Sequence, residues 1–329
     1  MNTRTIQKTG GSSFTVTIPK DWMESRKLSE KDSLEFYFSQ AGPLCFKPTS
    51  TKNVTKSFLD IDYLSQEHIS REIFGMFVLG TDEITIRARN ITHDQRSFIR
   101  KLSYKLIGFE VFESTTHTMT LRNVSSSTIP TLEYMQKIYT IMLSMYTDAI
   151  EAVEHKNIQL ARDIIERDVE IDRIHMLISR QLHILLRDII PQSNDSESLI
   201  NMQYNNLVTI RLERIADLIL RIAYSLLLIQ PSESLKLTPT EHHALTSTTD
   251  YLMLLKDIIF QTNKRTSHKL LDMYDTYQKT EILKKYIHNK PYCNIRIAEC
   301  IERIRGYSAN IAEETIDYSY GKTLKDQHT

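Results

Sequence analysis

No glycine occurs between Gly108 and Gly306 in this chain of 329 residues. Sheets with many tight turns rely on glycine to reach positive φ. A span this long without one therefore points away from a turn-rich β domain. Its prolines, Pro130, Pro191, Pro231, Pro239 and Pro291, stand as boundary posts between patterned segments. Between those posts Leu, Ile, Met, Arg and Glu recur at helical spacing. The spacing predicts helices over 131–154, 157–190, 197–229, 239–262, 266–288 and 292–319, most of them longer than the globular average and arranged antiparallel. This half of the chain reads as all-α.

The predicted helices divide into three and three. Leu212-Glu-Arg-Ile-Ala-Asp-Leu-Ile-Leu-Arg-Ile-Ala223, on the third helix, recurs as Ile301-Glu-Arg-Ile-Arg-Gly-Tyr-Ser-Ala-Asn-Ile-Ala312 on the sixth. A phrase repeated at matching places means two copies of one three-helix unit. The copies span about 130–230 and 238–320.

The first half is built differently. Between the polar stretches Thr49–Thr55 and Ser125–Thr128, residues 57–124 alternate helical and strand patterns. An amphipathic helix ends at Gly80 and a strand covers Glu83–Ala88. Thr92 with Gln95 three residues on is a capping-box pattern that opens a second helix, which ends at Gly108. Alternating segments Phe109–Ser114 and Thr118–Arg122 follow, so this is a small α/β module. Residues 1–48 form a further unit in short strands. There the glycine pair Gly10-Gly11 permits a tight turn, after which Phe14, Val16 and Ile18 alternate with polar residues as in a half-buried strand. Pro19 then leads into a short helix that carries the only tryptophan.

Net charge is zero, so contact with nucleic acid has to come from local clustering. Such a cluster exists: Arg4, Lys8 and Lys20 precede Asp21 with no acid among them. This local excess on a hairpin suggests a phosphate backbone as partner. Ordinary surface lysines on a plain hairpin are the alternative. Three scattered cysteines without Cys-x-x-Cys fit a reduced cytoplasm, and no apolar run is long enough for a bilayer. The expected location is cytoplasmic, without membrane insertion. No phosphate loop, nucleophile elbow or dinucleotide fingerprint is present, and no enzymatic role is expected.

Thr9-Gly-Gly-Ser-Ser-Phe-Thr-Val-Thr-Ile-Pro-Lys-Asp-Trp22, continued by Leu28–Phe38 and Leu44–Pro48, resembles the SpoVT/AbrB-type (MazE-like) DNA-binding domain. That resemblance implies a swapped-hairpin β-barrel made by two chains, with its basic face on DNA. About 48 residues of short strands bury too little surface to fold alone, which agrees with exchange between chains. Arg4, Lys8, Ser12, Ser13 and Lys20 are then the expected DNA contacts. Glu-Arg-Ile-x-x-x-x-x-x-Ile-Ala on the third helix of a duplicated bundle resembles the PhoU family, regulators of phosphate uptake. The whole is similar to the archaeal arrangement that joins the two. It implies a homodimeric or higher oligomeric transcriptional regulator of phosphate homeostasis. The alternative is an adaptor that docks on a phosphate transporter or signalling protein and uses the barrel only for dimerisation.

Asp168 and Asp172, and Glu213 and Asp217, are each four residues apart and so share a helix face. If the helices are neighbours, four carboxylates converge. An all-oxygen set suits Mg, Mn or Fe. With Arg167, Arg173, Arg214 and Arg221 nearby, the same acids also fit a solvated ion-pair face. The PhoU resemblance implies that these four acids are metal ligands. In the second copy Gly306 stands in the place of Asp217, and Asp272 and Asp275 are followed by Lys279, so that site is expected to be weak or absent. His175 occurs in the one approach to Glu-x-x-His spacing and is expected to be an ordinary helix-face residue.

Overall fold

A computed structural model describes residues 3–38, 44–49, 54–125, 130–187, 195–228, 236–280 and 292–326. It divides into two compact units, one built on the residues up to Asn53 and a larger one that begins at Val54.

In the smaller unit, β1 (Gln7–Thr9) and β2 (Ser13–Thr15) pair antiparallel with Lys8 opposite Phe14. Gly10 takes the turn at φ 73°, the left-handed region that a glycine occupies without a Cβ penalty. The short helix α1 (Lys20–Ser25) follows, then β3 (Leu34–Phe38) pairs antiparallel with β4 (Leu44–Pro48). These are two separate hairpins, and the described residues of one chain close no barrel. Phe14 is 68% exposed, and Val16, Ile18, Phe36 and Phe46 are exposed with it. β2 ends at Thr15, so of the alternating Phe14, Val16 and Ile18 only Phe14 lies in a strand, and none of the three is buried among the described residues.

The larger unit begins with the α/β module. β5 (Lys56–Asp60) runs parallel to β6 (Glu83–Arg87), joined through α2 (Gln66–Val78). After α3 (His93–Ser103) come β7 (Phe109–Ser114) and β8 (Thr118–Asn123), which complete a sheet of order β5-β6-β8-β7. Both expected helices and the expected strands are found. The capping box at α3 forms as its sequence requires: Gln95 N donates to Thr92 Oγ1, and Thr92 N donates to Gln95 Oε1. The module's core of isoleucines on α2, α3 and the sheet, with Phe77 and Phe109, also takes in Leu177 from the helical half.

That half contains α4 (Thr131–His155), α5 (Ile158–Arg187), α6 (Asp195–Leu227), α7 (Pro239–Gln261), α8 (Lys264–Thr280) and α9 (Tyr292–Asp326). These match the expected helices closely, with α9 running beyond its expected end at 319. The expected continuations of α5 to 190 and α8 to 288 lie outside the described residues. The two sets of three share one core. α4 meets α7 where Tyr139 and Tyr146 donate their hydroxyls to Leu252 O and Leu245 O. α6 meets α9 where Tyr204 stacks on Tyr318 at 4.0 Å and bonds Thr315. Corresponding helices of the two copies thus pair with each other. Among the described residues no helix is long and apolar enough to cross a membrane.

The module is pinned to α5 by Arg180. This guanidinium is buried, donates to Phe77 O, Thr81 O and Asp82 Oδ1, and lies near the rings of Phe77 and Phe109. Arg187, two turns on, donates to Gly80 O. A Cβ at Gly80 would come within 2.7 Å of Ile184, so glycine there permits the close approach of α2's end to α5. Nothing in the sequence pattern distinguishes Arg180 from its arginine neighbours.

Candidate functional site

The four carboxylates lie on α5 and α6, whose neighbourhood is fixed by Ser179 donating to Asn206 and by the shared apolar core. Asp168 and Asp172 project from α5 one turn apart, as do Glu213 and Asp217 from α6. Asp168 is only 8% exposed, and the other three are partly buried. The ion pairs that Glu213 and Asp217 make with Arg214 are thus partly buried on the acid side. Burial, then the charges of Asp172 and Asp217, push the Asp168 carboxyl up to about 7. Burial, then Asp217, does the same to Glu213, also to about 7, against the opposing pull of Arg214. Asp172 is raised as well, by burial and then Asp217.

These mutual effects show four acids within electrostatic range of one another. They do not stand at ligand distance as they are: among the described residues no group of three or more His, Cys, Asp or Glu side chains could hold an ion without adjustment. The donor set nonetheless fits a hard cation. It is all oxygen, and Glu213 Oε2 is buried without a hydrogen-bond partner. A cation would relieve the repulsion that otherwise retains protons on Asp168 and Glu213.

Two cations tune the cluster. Arg214 bonds Asp217 Oδ2 at 3.0 Å and lies 3.5 Å from Glu213 Oε2. Lys105, just past the C-terminal cap of α3, acts on Asp172 from a different part of the chain. Sequence spacing could not have found Lys105, because its neighbourhood is created only by the docking of the module. Arg167, adjacent in sequence to Asp168, turns away to Asp148 and Ser144 on α4. His175 is partly buried, and burial followed by Arg214 lowers its pKa. The reading of His175 as an ordinary helix-face residue is unaffected by its place beside the cluster. Cys293 and Cys300 are buried and in no disulfide among the described residues; Cys293 Sγ donates to Ser225 O, and burial pushes the Cys300 thiol up to about 11.

In the second copy Glu302 borders Leu218 and Arg221 and lies within electrostatic reach of Tyr277 on α8. Gly306 leaves the position of Asp217 without a side chain, and Tyr274 Oη lies 3.3 Å from where its Cβ would be.

At the N-terminal unit, Arg4, Lys8, Ser12, Ser13 and Lys20 are all exposed. Lys8 stands on β1, Ser13 opens β2, and Ser12 lies in the turn between them. Lys20 begins α1 and pairs with Glu24 at 3.4 Å across one exposed helical turn, a contact of a few tenths of a kcal/mol. Arg4 and Lys8 make no ion pair among the described residues.

Comparisons with known proteins agree with this division. Residues 135–226 match the model of the PhoU domain, and residues 7–40 match that of the antidote-toxin recognition MazE, a bacterial antitoxin. No curated protein matches the chain. PhoU from Pseudomonas aeruginosa has a similar structure at 19% identity and a TM-score of 0.50, covering 58% of this chain and 96% of its own. The phosphate transport system regulatory protein PhoU from Streptococcus pneumoniae is similar at 17% identity, with a TM-score of 0.45 over 58% of this chain and 94% of its own. The chain thus joins a segment that matches the MazE antitoxin model to a helical half in which residues 135–226 match the PhoU domain model and whose fold is similar to that of PhoU.

Proposed function

We propose that this chain is a cytoplasmic, DNA-binding transcriptional regulator of phosphate uptake, not an enzyme. Residues 1–48 act as its DNA-binding unit, 57–124 as a spacer module, and 130–230 with 238–320 as the regulatory half. The observation that carries the reading is the double character of the N-terminal hairpins. They expose Phe14, Val16, Phe36 and Phe46 beside Arg4 and Lys8. The apolar side favours a second copy, with exchanged hairpins closing a barrel. The cations, with Ser12 and Ser13 adding hydrogen bonds near the turn, favour a phosphate backbone. A regulatory role is supported by the PhoU domain match over residues 135–226. In that role Asp168, Asp172, Glu213 and Asp217 would hold one Mg, Mn or Fe ion, whose charge would neutralise the cluster.

Mobility shift of the full-length protein on genomic DNA fragments tests the reading. Three cations per chain, Arg4, Lys8 and Lys20, predict a log–log salt slope of roughly −5 for a dimer. Arg4→Ala/Lys8→Ala abolishes the shift while sedimentation still reports a dimer. Absence of any shift at low salt would sink the DNA-binding claim and favour an adaptor that docks on a phosphate transporter or signalling protein.

A further inference from the structure

The repeated phrases of the two copies diverge directly after their shared Glu-Arg-Ile. Ala216 of the first copy, fully buried, corresponds to Arg305 of the second, and the next residue, Asp217, corresponds to Gly306. One copy therefore carries an acid where the other carries none, and the second places a guanidinium where the first has a methyl group. Such an exchange at a core position is costly unless the cation is satisfied.

Arg305 is 5% exposed and only partly satisfied. Its Nε donates to Thr248 Oγ1 at 2.8 Å, and its Nη2 donates to Ala244 O at 2.7 Å and Ser247 Oγ at 2.9 Å. Its Cζ lies 4.3 Å from the Tyr277 ring centroid and 5.0 Å from that of Tyr251. Every partner is neutral. No carboxylate pairs with it among the described residues, and Nη1 has no hydrogen-bond partner there. Nη1 is not sealed in the core, because Arg305 lines a cavity of about 940 Å³ between α7, α8 and α9.

The rim of that cavity adds further cations. Arg265 and Lys269, one turn apart on α8, line it and make no ion pair among the described residues, and His243 and His268 stand with them. Asp250 and Asp272 are also present, without a cation at ion-pair distance among the described residues. The remaining wall joins Tyr251, Met273 and Tyr277 to hydroxyl side chains such as Thr240 and Thr276. A bare inorganic anion fills a small fraction of this space, whose volume suits an organic ligand of several hundred daltons.

We infer that the cavity between α7, α8 and α9 binds an organic phosphate of nucleotide size. Its phosphate oxygens accept from Arg305 Nη1 at the base and from Arg265 and Lys269 at the rim. Planar guanidinium and flexible ammonium groups suit phosphate together. The aromatic body lies against the tyrosine wall. Asp250 and Asp272 then have a use as acceptors for amino or hydroxyl groups of that body, which a simple anion does not possess. The second copy has in this way exchanged a cation-attracting cluster for an anion-attracting one.

Isothermal titration of the full-length protein with ADP, in buffer containing EDTA and no DNA, tests this independently of the DNA-binding reading. Saturable binding is expected, weakened at least tenfold by Arg265→Gln/Lys269→Gln, whose exposed positions leave folding intact. Arg305→Ala, which restores the residue of the first copy, is expected to abolish binding while circular dichroism reports a folded chain. No heat with ADP overturns the proposal, as does binding that both variants retain. Inorganic phosphate binding as tightly as ADP overturns the assignment of an organic ligand.

Discussion

Asp168 and Glu213 bind their protons more tightly in the folded chain than in the unfolded one, because burial and neighbouring acids raise both to about 7. Between about pH 4 and pH 7 the metal-free folded state holds protons that the unfolded state has released. Stability therefore falls as pH rises through that window, by an amount on the order of a few kcal/mol. Glu213→Gln is expected to flatten this dependence and to raise the melting temperature at pH 8. Adding Mn²⁺ at pH 8 is expected to stabilise the native chain and leave Glu213→Gln little changed; thermal melts across the pH range read both effects. The four acids were legible because spacing by four residues places two groups on one helix face. Arg180 and Lys105 were not, because their importance comes from contacts between segments far apart in sequence.

At the scale of elements, the helix limits followed from local chemistry. Thr92 and Gln95 cap α3 reciprocally, and Pro239 at the start of α7 follows Thr238, which accepts from Glu241 N. The C-terminal end of α7 is less well provided for. Thr262 caps it at φ 47°, where a β-branched residue crowds its own backbone and glycine does not. Thr262→Gly is expected to raise stability by about 1 kcal/mol, seen as a higher melting temperature in the same buffer. In the hairpins, alternation at Phe14, Val16 and Ile18 pointed to a strand with these residues on one side, though β2 itself ends at Thr15. It could not show that this side stays uncovered within one chain, because period two reports which residues share a face and not what lies against them.

Over the whole molecule, the duplicated phrase around Leu212 and Ile301 revealed the two sets of helices before any coordinates. The way the sets share a core, α4 against α7 and α6 against α9, depended on hydroxyl and aromatic contacts that a repeat does not encode. The module's attachment rests on few polar contacts, and Arg180 makes three of them. Arg180→Met is expected to cost about 2–4 kcal/mol, since Phe77 O, Thr81 O and Asp82 Oδ1 each lose a donor. Hydrogen exchange is expected to quicken in α2 and β6 while α9 keeps its protection; equal loss of protection in α9 would show that the attachment is not local.

Arg180 and the carboxylates share one helix. About 12 Å of α-helix separates Asp172 from Arg180, and a straight helix over that distance twists and bends little. The acids and the module's anchor are therefore two stations on one stiff rod. Whatever turns α5 to bring Asp168 and Asp172 closer to α6 also turns the bracket on which the sheet of residues 56–123 is mounted. The first copy of the bundle thereby has a handle that the second, with no module fixed to α8 among the described residues, does not.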